Sequence, residues 1–266
     1  MSSQAYDFAI WPTACGEGGT AMAGGGTRQR FPAGPWPHGS FLAVLAAASA
    51  PDTATADLLS ASTPRTYDPH EILLAEGDTG TFVLLLLSGV AKVTTVAPGG
   101  ETALLAVRLG GDLVGEFAAF DNQPRSATVT AASRVHTRRL SQRTFLRWLN
   151  DHPAVALAVG QSLVRKNRWS VRRRGDFSSC PVATRVARVL ADLAEDYGQR
   201  GGDGALSIPG LTQAELAGLV GARERSVHEV LGALAAERVI DVGYRRVTVR
   251  SLPGLHEATE LPPMPT

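Results

Sequence analysis

The change of hydrophobic period near Ser141 constrains the fold of this chain most. From Glu71 to Thr137, short apolar runs alternate with turn signals, whereas after Ser141 apolar residues recur every three to four positions. The turn signals are Glu76-Gly77-Asp78, Ser88-Gly89, Pro98-Gly99-Gly100, Gly110-Gly111-Asp112 and Asp121-Asn122. Short strands at such regular spacing predict an antiparallel sandwich or jelly roll. We therefore expect an α+β chain in which a β-jelly roll is followed by a helical part.

A short helix is expected before the strands, from Phe41 to Ala50. After the strands, the helical part begins with another short predicted helix, which ends near His152-Pro153. Residues 154–175 then predict one long helix, with a hinge at Gly175-Asp176. Its stripe is typical of a coiled-coil dimer seam, although an amphipathic helix packed on its own domain is the alternative. The stripe comprises Val155, Val159, Ser162, Leu163, Lys166 and Trp169.

The C-terminal part carries the signature of a helix-turn-helix within residues 211–234, LTQAELAGLVGARERSVHEVLGAL. Thr212 can cap the first helix, and Glu215 three residues later completes a capping box. Gly221 falls at the turn, where a left-handed backbone costs little only for glycine. A predicted hairpin at Val242–Val249 adds a wing. These features together favour a winged helix-turn-helix over an ordinary helical hairpin.

A candidate anion site lies in the segment from Gly110 to Ala131, GGDLVGEFAAFDNQPRSATVTA. The carboxylate of Glu116, after the turn at Gly115, can accept a hydrogen bond from a ribose hydroxyl, and Arg125 can pair with phosphate oxygens. The backbone N–H groups of Phe117 and Ala118 can add neutral donors, and Ser126 adds a hydroxyl. Taken singly, each residue also fits a surface turn or an ordinary strand. The ordered combination favours a sugar-phosphate site.

This segment closely resembles the phosphate-binding cassette of cyclic-nucleotide-binding domains. Followed by a long helix and a winged helix-turn-helix, it resembles the cyclic-AMP receptor protein family of the Crp/Fnr superfamily over about residues 41–250. The resemblance implies a homodimer that binds a near-palindromic double-stranded DNA site, responds to a cyclic nucleotide, most often cyclic AMP, and contacts RNA polymerase. It places Ser170 where a hydroxyl bonds adenine. In the family, the next residue reaches adenine from the partner subunit with a second hydroxyl. Val171 takes this position and departs from the family, because valine has no hydroxyl.

The DNA-reading residues are expected at the start of the second helix of the motif and in the wing. Arginine can pair with guanine and glutamate can accept from cytosine, whereas a wing arginine meets phosphate. The second helix begins with Arg223-Glu224-Arg225-Ser226, which departs from the Ser-Arg-Glu-Thr usual in the family. The DNA half-site usual for the family is therefore not expected. The predicted DNA-binding residues are Thr212, Arg223, Glu224, Arg225, Ser226, His228, Glu229 and Arg245.

The charge is unevenly distributed along the chain. Residues 125–174 carry twelve arginines and lysines against one acid, Asp151, whereas residues 176–257 carry nine basic and eleven acidic residues. Such a basic block suggests an anionic partner. We therefore expect DNA affinity to depend on Arg223, Arg225, Arg245 and the block near residue 170.

The predicted organisation is an extension that is disordered or loosely docked (1–40), a cyclic-nucleotide-binding domain (41–152), a dimerisation helix with hinge (153–177), a winged helix-turn-helix domain (178–256) and a tail (257–266). The two cysteines form no CxxC pair, which suits the cytoplasm. The apolar runs are too short to cross a membrane. We expect neither a metal nor a cofactor.

Three functional hypotheses stay open. The first is a transcription regulator gated by a cyclic mononucleotide. The second keeps DNA binding but replaces the trigger with another anion, such as a cyclic dinucleotide, or with none, because of Val171 and the basic block. The third, an enzyme on a jelly-roll scaffold, is remote. Metal-dependent jelly rolls need clustered histidines and carboxylates, and only His70 and His136 lie in the strand region.

Overall fold

A computed structural model describes residues 36–37, 40–47, 52–96, 100 and 102–259. The predicted extension (1–40) and tail (257–266) therefore lie almost entirely outside the described residues. The elements in chain order are α1 (Phe41–Ala47), α2 (Asp52–Ala61), β1 (Thr63–Tyr67), β2 (Ile72–Leu74), β3 (Val83–Ser88), β4 (Val90–Val96), β5 (Thr102–Leu109), β6 (Leu113–Val114), α3 (Glu116–Asp121), β7 (Thr128–Ala131), β8 (Val135–Leu140), α4 (Gln142–Asp151), α5 (Pro153–Ser179), α6 (Val182–Tyr197), β9 (Gln199–Arg200), β10 (Leu206–Pro209), α7 (Gln213–Val220), α8 (Glu224–Ala236), β11 (Ile240–Gly243), β12 (Arg246–Val249) and α9 (Leu252–Ala258).

The N-terminal part is the predicted β-sandwich, made of two four-stranded antiparallel sheets. One sheet has the strand order β1-β8-β3-β6 and the other β2-β7-β4-β5. Strand β3 is buried on both faces: Leu84 and Leu86 face the core between the sheets, and Val83 and Leu85 face the helices. Burial on both faces explains why this strand is a continuous apolar run instead of an alternating one.

Helix α5 is longer than predicted and passes through the expected hinge. Gly175 and Asp176 both lie inside the helix, which ends at Ser179. An interior glycine costs only about 1 kcal/mol of helix stability, whereas Pro181 restricts the residue before it and lacks a backbone N–H. The proline, not the glycine, therefore marks the end of the helix, and the prediction of a hinge at Gly175-Asp176 was wrong.

The predicted dimer stripe of α5 packs on its own chain. Val155 and Val159 are buried against α1 and the helix-facing side of the first sheet, and Trp169 packs against the core of the C-terminal domain. Besides Phe177 near its end, α5 exposes three large apolar side chains, Leu157, Val164 and Val171, with exposed fractions of 61%, 52% and 56%. They are seven residues apart and so lie along one face of the helix. Val155, Val159 and Ser162 are therefore buried within the chain, as the alternative of a helix packed on its own domain describes, whereas a dimer seam along α5 stays a prediction.

The C-terminal part is a winged helix-turn-helix as predicted. Thr212 and Glu215 form the capping box, with Thr212 Oγ1 accepting from the Glu215 backbone N–H at 3.2 Å and Glu215 Oε2 accepting from the Thr212 N–H at 2.9 Å. Gly221 adopts the left-handed conformation, with φ of 58°. Strands β11 and β12 form the wing within a sheet ordered β11-β12-β10-β9. Helix α9, which the sequence analysis missed, packs on α6 through Leu255.

The two parts share an apolar core. Val90, Leu104, Val107 and Leu109, from the β4–β5 hairpin, pack with residues of α6 and α7. The winged helix-turn-helix is therefore docked on the β-sandwich, and α7 lies against β5. Among the described helices, none is long and apolar enough to cross a membrane.

Candidate nucleotide site and nucleic-acid interface

Arg125 is fixed at the centre of the predicted cassette by its backbone and its side chain. Its N–H donates to the carbonyl oxygen of Asp78 at 2.8 Å, and its own carbonyl accepts from the Gly77 N–H at 2.9 Å. Nη1 donates to Gly115 O at 2.7 Å and Nη2 to Phe82 O at 2.6 Å. The residue is only 4% exposed, and its Nε is buried without a partner in the part of the chain that the structure describes. A buried guanidinium with an unused donor is suited to an anionic ligand.

Gly115 is required at the turn before α3. Its φ of 87° lies in the left-handed region, which other residues adopt only with strain. A Cβ built on this glycine would lie 2.6 Å from Arg125 Nη1 and 3.0 Å from Phe82 O. Any side chain would therefore push the guanidinium away from its present position.

Burial of the Arg125 guanidinium has an electrostatic consequence. Desolvation lowers the pKa of Arg125, and nearby Arg139 lowers it further, while the carboxylates of Asp78 and Glu116 raise it. The charged form therefore lacks part of the solvation that it has in water. A phosphate beside Arg125 would restore that stabilisation, which is why such a site gains affinity from charge pairing.

Glu116 is buried and paired with a lysine that the sequence analysis placed elsewhere. Lys166 Nζ, from α5, donates to Glu116 Oε1 at 2.6 Å and to the Leu113 carbonyl oxygen at 2.8 Å. Glu116 is 4% exposed, so its carboxylate needs a charged partner. The sequence places Lys166 in the predicted dimer stripe; because fifty residues separate Lys166 from Glu116, no local spacing shows this contact.

The remaining predicted cassette residues are Phe117 and Ala118, which follow Glu116 in α3, and Ser126, which lies before β7. The backbone N–H groups of Phe117 and Ala118 belong to the first turn of α3, where helix geometry supplies no acceptor. Ala118 is buried, whereas Phe117 and Ser126 are exposed. The guanidinium of Arg125 lies over the ring of Phe82, 4.9 Å from the ring centroid.

Arg139 is a second cation beside the cassette that sequence reasoning missed. Its guanidinium lies 4.0 Å from the centroid of the same Phe82 ring. Arg139 is exposed on β8, so its position next to Arg125 follows from the pairing of β8 with β3. No local motif marks it.

The two predicted adenine-contact residues lie on α5. Ser170 and Val171 are both exposed. Ser170 follows Lys166 by four residues, and so lies on the same side of the helix one turn further on. Val171 belongs to the exposed apolar row with Leu157 and Val164.

The predicted DNA-reading residues form an exposed group at the start of α8. Arg223 is the N-cap residue of α8, and Arg225 Nε donates to Glu229 Oε1 at 3.1 Å, one turn away. His228 Nδ1 lies 3.0 Å from Gln213 Oε1 of α7, which orients the imidazole beside the first helix. Exposed in this group are Arg223, Glu224, Arg225, His228 and Glu229, whereas Ser226 and Thr212 are partly buried.

The wing exposes two side chains that were not among the DNA-binding residues predicted from the sequence. Tyr244 at the hairpin tip is 84% exposed, and Arg246 is exposed on β12. The predicted Arg245 is partly buried, with φ of 49°, and its carbonyl accepts from the Gly210 N–H at 2.8 Å. A groove with an accessible volume of about 270 Å³ separates this wing from α7 and α8. One side of the groove is therefore formed by α7 and α8, and the other by a wing that carries aromatic and basic side chains.

The basic block near residue 170 is largely used inside the molecule. Lys166 binds Glu116, and Arg172 lies 3.6 Å from Asp192 of α6. Arg173 binds two backbone carbonyl groups. These contacts occupy Lys166 and Arg173, whereas Arg168, Arg172 and Arg174 are exposed, so the dependence of DNA affinity on this block stays a prediction for the exposed side chains.

Comparisons with known proteins agree with this architecture. The family profile described as "Cyclic nucleotide-binding domain" matches residues 64–152, and "Crp-like helix-turn-helix domain" matches residues 184–258. A "CRP-like cAMP-activated global transcriptional regulator" of Mycobacterium tuberculosis is 30% identical over 184 residues, which cover 69% of this chain and 82% of that protein. A "Cyclic AMP receptor protein" of Thermus thermophilus is 30% identical over 193 residues, covering 73% and 86%.

The fold is also found in solved structures. FixK2 from Bradyrhizobium japonicum superposes with a TM-score of 0.66 at 15% identity, covering 76% of this chain and 99% of that one. A nucleotide-binding sandwich joined to a winged helix-turn-helix defines a class of transcription regulators. Within that class, the chain belongs to the Crp/Fnr family, that of the cyclic-AMP receptor protein.

Proposed function

We propose that this protein is a homodimeric transcription regulator whose affinity for a near-palindromic DNA site is controlled by a cyclic mononucleotide, cyclic AMP first among them. It is a binding protein and not an enzyme. It works in the cytoplasm on nucleoid DNA, and it contacts RNA polymerase as the family resemblance implies.

The nucleotide assignment rests on two buried side chains of opposite charge in the cassette, Arg125 and Glu116. Arg125, 4% exposed and with Nε unpartnered among the described residues, offers a desolvated guanidinium to a phosphate. Glu116 uses Oε1 for Lys166 and keeps Oε2 for a ribose hydroxyl. Relatives named as cyclic-AMP-activated or as a cyclic AMP receptor support cyclic AMP as the ligand.

The exposed face of α5 supports the dimer. Leu157, Val164 and Val171 form an apolar row over two heptads on the longest helix of the described chain. Two copies packed through this row would bury it and would present two copies of α8. Recognition helices related by a two-fold axis read half-sites about 34–36 Å apart, which is why a near-palindromic site is proposed.

One observation favours a trigger other than a cyclic mononucleotide. Val171 takes the position from which the family resemblance expects a hydroxyl to reach adenine, and it lies in the apolar row. Adenine selectivity therefore rests on fewer polar contacts. The second candidate is the same DNA-binding regulator controlled by another anion, such as a cyclic dinucleotide, or by none.

Calorimetric titration with cyclic AMP, cyclic GMP and cyclic di-GMP separates these candidates. The proposal expects saturable binding of cyclic AMP with one site per chain, and loss of that binding in Arg125→Ala. Tight binding of cyclic di-GMP alone would transfer the assignment to the second candidate. Absence of heat with all three would overturn nucleotide control.

A further inference from the structure

Arg173 joins three parts of the molecule through one side chain. It belongs to α5, and its Nη1 donates to the carbonyl oxygen of Leu105 on β5 at 2.6 Å. Its Nη2 donates to the carbonyl oxygen of Leu219, in the last turn of α7. The guanidinium also lies over the ring of Trp169, 4.4 Å from its centroid. One rigid fork therefore fixes the distance between the nucleotide-binding sheet and the first helix of the DNA-binding motif.

The carbonyl groups at the end of α7 are satisfied from α5 and α6. Besides Arg173 on Leu219, Arg185 of α6 donates to the carbonyl oxygens of Val220 at 2.6 Å and Gly221 at 3.1 Å. Cationic side chains at a helix C-terminus also match the negative end of its dipole. The ring of Phe177, from α5, lies against Gly221, where an added Cβ would be 3.2 Å from the ring. The turn that leads into α8 is thus held by α5.

Charged and polar side chains join the two domains in both senses. Several cations come from the nucleotide-binding domain and α5, whereas Arg188 Nη1 of α6 donates to Asp176 Oδ1 of α5 at 2.6 Å. Lys92 of β4 pairs with Glu215 of α7, and Arg108 Nη1 of β5 donates to Tyr197 Oη of α6 at 3.3 Å. These contacts orient the DNA-binding domain on the sandwich and make its docking sensitive to salt.

Arg173 is partly buried in this contact, and its Nε is buried without a partner among the described residues. Burial lowers the pKa of Arg173 to about 10, so the side chain remains charged at neutral pH. A charged group at such a position destabilises the protein unless its hydrogen bonds are kept. The docked arrangement keeps both of them, whereas separation of α7 from β5 would break at least one.

We propose that Arg173 is a positioning residue that couples the nucleotide-binding domain to the recognition helix, by clamping the end of α7 to β5. Movement of α5 or β5 on nucleotide binding is then transmitted to the turn at Gly221 and to α8. The nucleotide-dependent part of this inference rests on the proposed function; the clamp itself rests only on the contacts of Arg173.

The clamp is tested by hydrogen–deuterium exchange of the full chain without ligand. In Arg173→Met, which keeps an apolar stem but loses both hydrogen bonds, amide exchange should accelerate at least fivefold in residues 102–109 and 213–221. Arg168→Met is the matched control, because it removes the same charge from an exposed position of α5. Unchanged exchange in Arg173→Met, or equal acceleration in Arg168→Met, would overturn the clamp.

The coupling is tested by two affinities measured on the same variants. In Arg173→Met, the dissociation constant for cyclic AMP should stay within about twofold of the parent, while the ratio of DNA affinities with and without cyclic AMP should fall toward one. Arg173→Lys, which keeps the charge but cannot bridge both carbonyl groups, should show an intermediate ratio. A parental ratio in Arg173→Met would overturn the coupling. Failure of the parent itself to bind cyclic AMP would count against the proposed function, and exchange would still decide the clamp.

Discussion

Lys166 Nζ of the long helix lies 2.6 Å from Glu116 Oε1 of the nucleotide cassette. Both side chains are nearly inaccessible, with exposed fractions of 13% and 5%. The carboxylate that would hold a ribose is therefore already neutralised by a cation from α5. The same ammonium group also holds the Leu113 carbonyl, so α5 and the cassette are joined before any ligand binds.

Lys166→Met should weaken both folding and nucleotide binding. The change leaves the carboxylate of Glu116 buried without a cation, and breaking a buried pair costs about 3–5 kcal/mol. The remaining negative charge would also repel an anionic ligand. Urea unfolding and calorimetry measure the two effects.

The double variant Glu116→Gln/Lys166→Met should recover much of the lost stability but none of the nucleotide affinity. Lys166→Arg is the conservative control, because it keeps the charge. Tighter nucleotide binding by Lys166→Met would show instead that Lys166 competes with the ligand.

Leu157→Asp/Val164→Asp should convert the protein to monomers. Charged side chains in an apolar seam lose their solvation without gaining a partner. Light scattering of the purified protein measures the mass directly. Leu146→Asp on α4 is the control, since Leu146 is 40% exposed but lies off this row. A dimer that survives the double change would place the interface on another surface.

Arg225→Ala should relax the preference for one base pair in each half-site, by about 1–3 kcal/mol. Arg246→Ala in the wing should act differently: it should weaken binding to all sequences alike and reduce the salt dependence by about one phosphate contact. Selection from random duplexes and titration at several salt concentrations distinguish the two effects. An asymmetric selected site, or a selected site that Arg225→Ala leaves unchanged, would contradict the assignment of α8.

Two carboxyl groups at the domain contact should respond to pH in opposite directions. Burial raises the pKa of Asp196, so the folded chain binds this proton more tightly than the unfolded chain does. The resulting stabilisation is present below the ordinary pKa of aspartate and is lost as pH rises through the raised pKa. Burial alone would raise the pKa of Glu215, but hydrogen bonds from Lys92 and Thr212 hold it below its usual value. Its contribution is present at neutral pH and is lost as pH falls through the lowered pKa.

Asp196→Asn should therefore be more stable than the parent at pH 7, and the difference should disappear toward pH 4. Glu215→Gln should be less stable than the parent at pH 7, with a difference that shrinks on acidification. Urea unfolding midpoints of both variants across this range measure the effects. Parallel pH profiles for the parent and both variants would contradict these assignments.

The order of the elements could be predicted because it depends on local signals. The glycine turns, the capping box at Thr212 and the αL glycine at Gly221 are each encoded within a few residues. The face of α5 could not be predicted in the same way. Val159 and Leu157 are both apolar, and only the presence of α1 and the first sheet decides which of them is buried.

The contacts of charged side chains were equally hidden from the sequence. The basic block near residue 170 was interpreted as a surface for an anion, yet Lys166, Arg172 and Arg173 each have partners inside the molecule. Their partners lie 20 to 68 residues away along the chain. Such pairings follow from the packing of α5 on the sandwich and on the C-terminal domain, which no local spacing encodes.

The most direct test of nucleotide control is the affinity for a selected near-palindromic duplex, measured with and without cyclic AMP for the parent and for Arg125→Ala. Fluorescence anisotropy at fixed salt gives all four dissociation constants. If a nucleotide controls DNA binding, cyclic AMP should shift the DNA affinity of the parent by about 5- to 150-fold, the usual range of allosteric coupling, and should leave that of Arg125→Ala unchanged. Equal DNA affinities of the parent with and without cyclic AMP, or an equal shift in both proteins, would contradict nucleotide control.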